Sequence, residues 1–456
     1  VLSGCGFQVA ERRGKERTIE FELRSQIPEF GQGNSGFADP LTATWRSDIQ
    51  TIVKPGTFQK YGDGKQLTRD QALRFASLDG DNLQALLAAA AELRDRHKGR
   101  VVTFSPKVFV PLTNLCRDFC GYCTFRKAPG DPGAKTMTLE EVLRVVGQGK
   151  MLGCTEVLLS LGDKPEAIYP EMKQFLIGRG HQRTIDYLHE ACRTVVDETG
   201  LLPHSNPGIM GRGDLQRLKE VNASMGLMLE SVSERLLWPG GAHDNAPDKK
   251  PALRLRTMAE AGKLGIPFTT GILIGIGERW EERVDSLLAI RDVHERYGHI
   301  QEVIIQNFRA KPTIPMRDHP NASRDDMMKT IALARLILGG VMNLQAPPNL
   351  TPEGYELYLE AGINDWGGVS PLTPDFINPE APWPALQRLR EKCADAGFQL
   401  KARLPVYPEF IVRADKFLSS SMRSHVERLC DSDGFVKQGG PLRFLPSLQY
   451  SNAPVL

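Results

Sequence analysis

No stretch of this 456-residue chain is apolar for the roughly 20 residues that a membrane-spanning helix requires. The longest candidate, LQALLAAAAEL, is broken by Gln84 and Glu92. An excess of one charge is missing too. Lys and Arg number 57 against 55 Asp and Glu, a net +2, which argues against a dedicated nucleic-acid or membrane surface. Cysteine is sparse. Eight over the whole chain cannot form the framework of a small secreted fold, so a soluble protein of a reducing compartment is expected, cytoplasmic or organellar. The dinucleotide fingerprint G-x-G-x-x-G is also absent.

What is present has a clear rhythm. Residues 1–66 are rich in Gly, Pro and charge without a sustained period, and read as a poorly ordered extension. Residues 67–100 read as helical. Thr68 and Gln71 form a capping-box pattern, and the alanine-rich run ends near Gly99. From residue 101 to 412, short apolar runs alternate with helical periods: KVFVPLT, TEVLLS, LLPHSNP, ASMGLMLE, IPFTTGILIGIG, QEVIIQNF, VMNLQAP and GINDWGGV. The runs are continuous rather than alternating, as parallel strands buried on both faces are. About eight strand–helix units read as a (β/α)₈ barrel, with an open doubly wound sheet as the competitor. Residues 413–456 read as a C-terminal tail or linker. A chain that starts at Val1 and not at Met leaves open whether it is a fragment, so a missing targeting segment carries little weight.

The chemistry concentrates in LTNLCRDFCGYCTF, where Cys116, Cys120 and Cys123 follow the first strand directly. Barrel chemistry sits at the C-terminal strand ends, so this loop belongs at the mouth. Structural zinc wants four ligands, and no fourth Cys or His lies nearby. A 4Fe–4S cluster held by three thiolates leaves one iron open to a bidentate small molecule. Zinc and plain buried thiols remain the alternatives.

The C-x₃-C-x₂-C spacing, with Tyr122 before the last cysteine, resembles the radical S-adenosylmethionine (SAM) superfamily. That resemblance implies that SAM fills the vacant corner and yields a 5′-deoxyadenosyl radical. Further motifs are similar to those of the same superfamily. Gly162 and Asp163 in SLGDKPE stand where a turn would hold the SAM amino group, with Leu161 replacing the usual first glycine. Glu230 and Ser231 end the fourth run, where a carboxylate would accept the ribose hydroxyls. GILIGIGE resembles a G-x-I-x-G-x-x-E pattern, in which Gly275 and Gly277 would let the backbone approach the adenine.

Longer stretches, from KVFVPLTNLCRDFCGYCTF to GINDWGGVSPLTPDFINPEAPWP, resemble FO synthase, and specifically its cyclising, CofG-type half. The resemblance covers residues 101–412. It implies closure of a deazaflavin ring, the chromophore of coenzyme F420, from a 4-hydroxybenzyl-ribitylaminouracil adduct with loss of ammonia. It further implies a CofH-type radical SAM partner, separate or fused C-terminally, and an electron donor such as ferredoxin or flavodoxin. The substrate is expected against the strand ends left over by SAM. Those ends carry Ser205, Asn206, Gln306, Asn307, Arg309, Asn349 and Asn364, neutral or cationic groups suited to a uracil and a ribityl chain. His204 and Asp365 are the candidate general bases. Trp366–Gly367–Gly368 reads as packing and close backbone approach. Phe119 stands where a basic residue is expected, and Thr313 where a glycine is usual, which bears on fine specificity. The alternatives are another radical SAM cyclase or ligase, such as the partner half or a futalosine cyclase, and a non-enzymatic Fe–S or zinc-binding module.

Overall fold

The computed structural model describes residues 67–437, so the expected N-terminal extension over 1–66 lies outside the described residues. Helices α1 (Arg69–Ala76) and α2 (Gly80–Lys98) come first, and Thr68 and Gln71 cap α1 reciprocally. Gly99 closes α2. Helix α2 buries Leu86, Leu87 and Ala90. Its Arg94 donates to the Leu359 and Ile363 carbonyls at 2.5 and 2.9 Å. The helix is therefore part of the body, not a flexible lead-in.

Eight parallel strands close the barrel: β1 (Val101–Thr113), β2 (Glu156–Leu161), β3 (Leu202–Asn206), β4 (Ser224–Gly226), β5 (Phe268–Ile274), β6 (Ile300–Asn307), β7 (Asn343–Gln345) and β8 (Asp365–Val369). Closure is made by β1, which pairs with β2 through Lys107–Thr113 and with β8 through Thr103–Pro106. The expected open-sheet competitor is thereby excluded. Strand β1 is longer than the run KVFVPLT suggested because its first residues also carry β9 (Gln399–Ala402), a ninth strand with no forecast. Strand β4 is shorter than its run, since the chain leaves the ladder and turns at Glu230, whose φ is +65°.

The outer helices are α3 (Leu139–Met151), α4 (Pro170–Ile177), α5 (Thr184–Thr199), α6 (Arg212–Lys219), α7 (Pro251–Lys263), α8 (Trp280–Tyr297), α9 (Arg324–Leu338) and α10 (Leu386–Asp395). Thr138 with Glu141 caps α3, and Ser323 caps α9, as their sequences specify.

The chain does not come loose after the last strand. Residues 403–407 run beneath the barrel and plug it. Arg403 reaches Asp365 and Glu302, Tyr407 Oη donates to Glu302 at 2.9 Å, and the Pro405 carbonyl accepts from Gln301 and Ser224. Helices α11 (Pro408–Ile411), α12 (Ala414–Phe417) and α13 (Ser420–Leu429) follow. Phe410, Phe417, Met422 and Val426 pack with Val196, Leu202 and Ala223. The tail expected from residue 413 is thus folded as far as Lys437; residues 438–456 lie outside the described residues. No described helix is long and apolar enough to cross a membrane.

Candidate active site

The C-terminal strand ends surround a cavity of about 340 Å³. One wall is the loop after β1, with Cys116, Cys120 and Cys123 all lining the space. The loop is clamped at several points. Phe119 N–H donates to Asn245 O and Gly121 N–H to Ala242 O, both at 2.8 Å, and Arg117 N–H donates to Asp163 O at 3.1 Å. Gly162 makes the clamp possible. A Cβ there would overlap the Leu115 carbonyl and stand 2.5 Å from Cys116 Cβ. The glycine is needed for close approach of two segments, the turn after β2 and the cysteine loop, not for an unusual φ.

Backbone N–H groups of Asp118 and Asp163 donate to Cys116 Sγ at 3.4 and 3.2 Å, and that of Arg126 to Cys123 Sγ at 3.4 Å. Such donors favour sulfur that carries negative charge. Burial pushes the Cys116 thiol up to about 12, so the proton is held until something cationic displaces it. The three sulfurs do not gather within 4.8 Å of one another. Among the described residues, Asp118, Asp163 and Asp248 form the metal-sized set. A single zinc would draw its thiolates to about 3.8 Å apart, given Zn–S bonds near 2.3 Å. Three thiols on one loop, with backbone N–H groups aimed at two of them, form a donor set suited to holding negatively charged sulfur around an electropositive group.

Next to the cysteines lies a charged ring that the sequence reading only half identified. Asp163 accepts from Lys164 Nζ at 2.7 Å and from Ile209 N–H at 3.0 Å, and burial pushes its carboxyl up to about 6. Glu230 lines the cavity and accepts from Lys249 Nζ at 2.6 Å. Burial alone would raise Glu230, but Lys249 and Arg254 outweigh it and hold the carboxyl below its usual value. Lys249 and Arg254 sit in the stretch before and within α7, where no local pattern marks them. Ser231 points away and accepts from Ser233 N–H. Gly275 and Gly277 have φ of +86° and +96° and shape the turn after β5. Glu278, the last residue of that motif, accepts from the N–H groups of Gly275 and Ile276 at 2.8 Å each and from Arg283 at 2.5 Å. Neither glycine lines the cavity.

Of the residues expected around a substrate, Asn206, Gln306, Asn307 and Arg309 line the cavity. Asn307 Oδ1 is buried without a partner, and Arg309 donates to Leu350 O at 2.7 Å. Ser205 faces the other side of β3 and bonds Asn222 at 2.7 Å. Asn364 is occupied by Arg335, Leu344 N–H and Asn343 beneath the barrel. Asn349 stands behind the wall, donating to Asp375 at 2.9 Å.

Neither candidate base is in the cavity. Asp365 begins β8 and does not end it. Its carboxylate accepts from Thr103, from Gly367 N–H and twice from Arg403, so no lone pair is free for a reacting proton. His204 lies one layer below Asn206, with Nδ1 2.6 Å from Ser224 Oγ, and burial pushes it down to about 4. Neither stands at a C-terminal strand end: Asp365 opens β8, and His204 lies two residues before the end of β3. The polar residues that do face the floor and far wall are Lys107, Gln345, Lys311, Asp375 and Asn378.

Phe119 is 45% exposed and lies under the Arg126 guanidinium, 3.5 Å from its ring centroid. A cation is therefore supplied at this place by a neighbouring residue. Thr313 is exposed and outside the cavity lining.

Residues 110–290 match the model of the radical SAM superfamily. The chain is 50% identical over 337 residues to the 7,8-didemethyl-8-hydroxy-5-deazariboflavin synthase of Methanopyrus kandleri, covering 74% of this chain and 100% of that one. It is 49% identical over 380 residues to the FO synthase of Streptomyces avermitilis, covering 81% of this chain but 44% of the longer protein. Among solved structures, the FeFe-hydrogenase maturase HydG of Carboxydothermus hydrogenoformans superposes with a TM-score of 0.63 at 21% identity, covering 80% of this chain and 82% of that one. Methylornithine synthase gives 0.60 at 21%, covering 75% and 96%. At such identities these two speak for the fold alone.

Proposed function

The chain belongs to the 7,8-didemethyl-8-hydroxy-5-deazariboflavin (FO) synthase family of the radical SAM superfamily, and from that premise we propose that it catalyses the ring closure that forms FO. The substrate is the 4-hydroxybenzyl-ribitylaminouracil adduct, and ammonia is lost. The observation that carries this reading is one cavity lined both by the three cysteines and by the neutral amides of Asn206, Gln306 and Asn307. Cys116, Cys120 and Cys123 would hold a 4Fe–4S cluster with one iron open. Gly162, Asp163 and Glu230 would hold SAM beside it. When bound, cluster and SAM supply a one-electron route to a 5′-deoxyadenosyl radical.

The chain's own residues place the adduct and keep water away. Asn206, Gln306 and Asn307 offer donors and acceptors for the uracil and the ribityl hydroxyls, and the unpartnered Asn307 Oδ1 is an acceptor awaiting a donor. Phe109 and Trp383 line the cavity as aromatic surface for the hydroxybenzyl ring. A partner of the CofH type supplies the adduct, on a separate chain or on the portion that the longer relatives carry.

The test is anaerobic. Reconstituted protein with SAM, a low-potential reductant and the adduct should yield the fluorescent deazaflavin. Given only tyrosine and the ribitylaminouracil, it should yield none until the partner half is added. Formation of 5′-deoxyadenosine without any deazaflavin in the complete mixture would refute the substrate assignment.

A further inference from the structure

Loss of ammonia requires a proton acceptor, and neither His204 nor Asp365 reaches the cavity. Of the titratable side chains on the floor and far wall, Asp375 is engaged by Asn349, Asn378 and the Ile377 N–H, and Lys311 by Asn378 and the Ile377 carbonyl, which leaves Lys107. Lys107, in the middle of β1, is 8% exposed and lines the cavity. Its ammonium nitrogen lies 4.9 Å from the ring centroid of Trp383 and 5.6 Å from that of Phe109. Among the described residues no carboxylate forms an ion pair with it, although almost every other buried cation of the barrel has a carboxylate or a carbonyl. The nearest candidate, Glu156, stands opposite on β2 and is engaged by Ser105.

The fold makes room for this lysine at some cost. A Cβ on Gly368 would lie 2.6 Å from Lys107 Nζ and closer still to its methylenes. The Gly367–Gly368 pair is therefore no generic turn: Gly368 is the gap through which Lys107 extends into the cavity. A residue used only for packing would not need a glycine on the neighbouring strand to clear its path.

We infer that Lys107 is the general base of the ammonia elimination that accompanies ring closure, accepting a proton from the bound adduct and returning it to the departing amine. This rests on the FO-forming reading above. In the step, a C–H bond of the adduct breaks heterolytically and its proton passes to the neutral Lys107 amine. The electron pair left behind becomes the new carbon–carbon double bond as the C–N bond breaks. The Lys107 ammonium then gives the proton to the leaving nitrogen, and ammonia departs. Lys107 ends as it began, and this elimination consumes no oxidant.

The electrostatic setting agrees. Burial holds the Lys107 amine below its ordinary value, with Glu156 and then Asp375 and Glu302 opposing, and Arg403 adding to the depression. A lysine used as a base needs that shift, because an unperturbed one, near 10.4, is almost entirely protonated at neutral pH.

The experiment compares wild type with Lys107→Arg, Lys107→Met and Lys107→Ala, each with reconstituted cluster, SAM, reductant and adduct. All three variants should form FO at least about 100-fold more slowly, the usual contribution of a general base. They should keep the cluster's absorbance and still release 5′-deoxyadenosine. Wild-type FO formation should rise with pH to a plateau, and added primary amines should rescue Lys107→Ala in order of their basicity. Lys107→Arg restoring FO to within a few-fold would show a fixed positive charge at work and overturn the proposal. So would ordinary lysine titration of Lys107, followed as the pH dependence of its acylation by mass spectrometry. If wild type itself makes 5′-deoxyadenosine but no FO, the ring-closing function fails and this role falls with it. A depressed acylation profile would then still distinguish that failure from a misread lysine.

Discussion

Arg403 grips Asp365 through both carboxylate oxygens, Nε to Oδ2 at 2.6 Å and Nη2 to Oδ1 at 3.0 Å, at the closed end of the barrel. Arg403 also reaches Glu302 at 3.0 Å, and all three side chains are almost fully buried. Removing one member leaves an uncompensated buried charge. Arg403→Met should cost on the order of 3–5 kcal/mol of stability. Asp365→Asn should behave as a folding mutant, with lowered yield and an earlier denaturant midpoint, while the refolded fraction keeps its rate of 5′-deoxyadenosine release per cluster. A folded Asp365→Asn that binds SAM normally but makes no FO would restore that residue to the chemistry.

Cys116→Ala, Cys120→Ala and Cys123→Ala should each lose the cluster's visible absorbance and SAM cleavage. Cys154 and Cys192 are buried elsewhere, and Cys192 lies with Ser205 and Asn222 outside the barrel lumen. Their alanine variants should retain both properties. Iron content and absorbance of anaerobically reconstituted samples decide the matter; stoichiometric zinc without iron would refute the cluster.

Glu230→Gln should weaken SAM binding about ten- to a hundredfold and leave the cluster in place, since one lost charge-assisted contact is worth roughly 1.5–3 kcal/mol. The substitution also releases Lys249 from its partner at 2.6 Å. Lys249→Met should therefore share part of the defect. Equilibrium dialysis with SAM against the reconstituted protein measures both, and unchanged affinity in Glu230→Gln would remove that residue from the site.

Gly162→Ala should displace the cysteine loop, because the added carbon meets Cys116 Cβ at 2.5 Å with the Leu115 backbone behind it. Lower iron occupancy at near-native secondary structure is the expected result, read by iron analysis and circular dichroism.

His204 carries a pH signature of its own. Burial lowers it from 6.5 to about 4, so the unfolded chain binds a proton between those values and the folded chain does not. Its contribution to stability is present above about pH 6.5 and is lost as the pH falls towards 4. The stability advantage of wild type over His204→Gln should shrink across that window and stay constant above it. Denaturation of both proteins at a series of pH values gives the difference directly, and a flat difference would show that His204 is not held neutral.

The cysteine loop, the capping boxes of α1 and α3, and the alternation of strands and helices could all be read in advance because each depends on residues close in sequence. Three thiols within one loop, or a Thr followed by Gln or Glu at the right step, carry their geometry in their spacing. The strand ends could not be read so well. An apolar run shows that a strand exists, but its first paired residue is set by the neighbouring strands. For β8 that residue is Asp365, which drops to the base, and for β4 the ladder breaks after Gly226 and resumes as a single bridge from Glu230 to Ile272, where the positive φ of Glu230 sets its side chain towards the cavity. Closure of the barrel on β1 and the plug by residues 403–407 come from segments far apart in the chain.

By itself the sequence determined the family, the barrel and the three cysteines, because ligand spacing and hydrophobic period are local properties that survive without coordinates. Which polar residues face the cavity was decided by the tertiary structure. A parallel strand alternates faces every residue, so only the register of its neighbours tells Lys107 and Asn206, which line the cavity, from Ser205, which faces outward, and Asp365, which is locked to Arg403 beneath it.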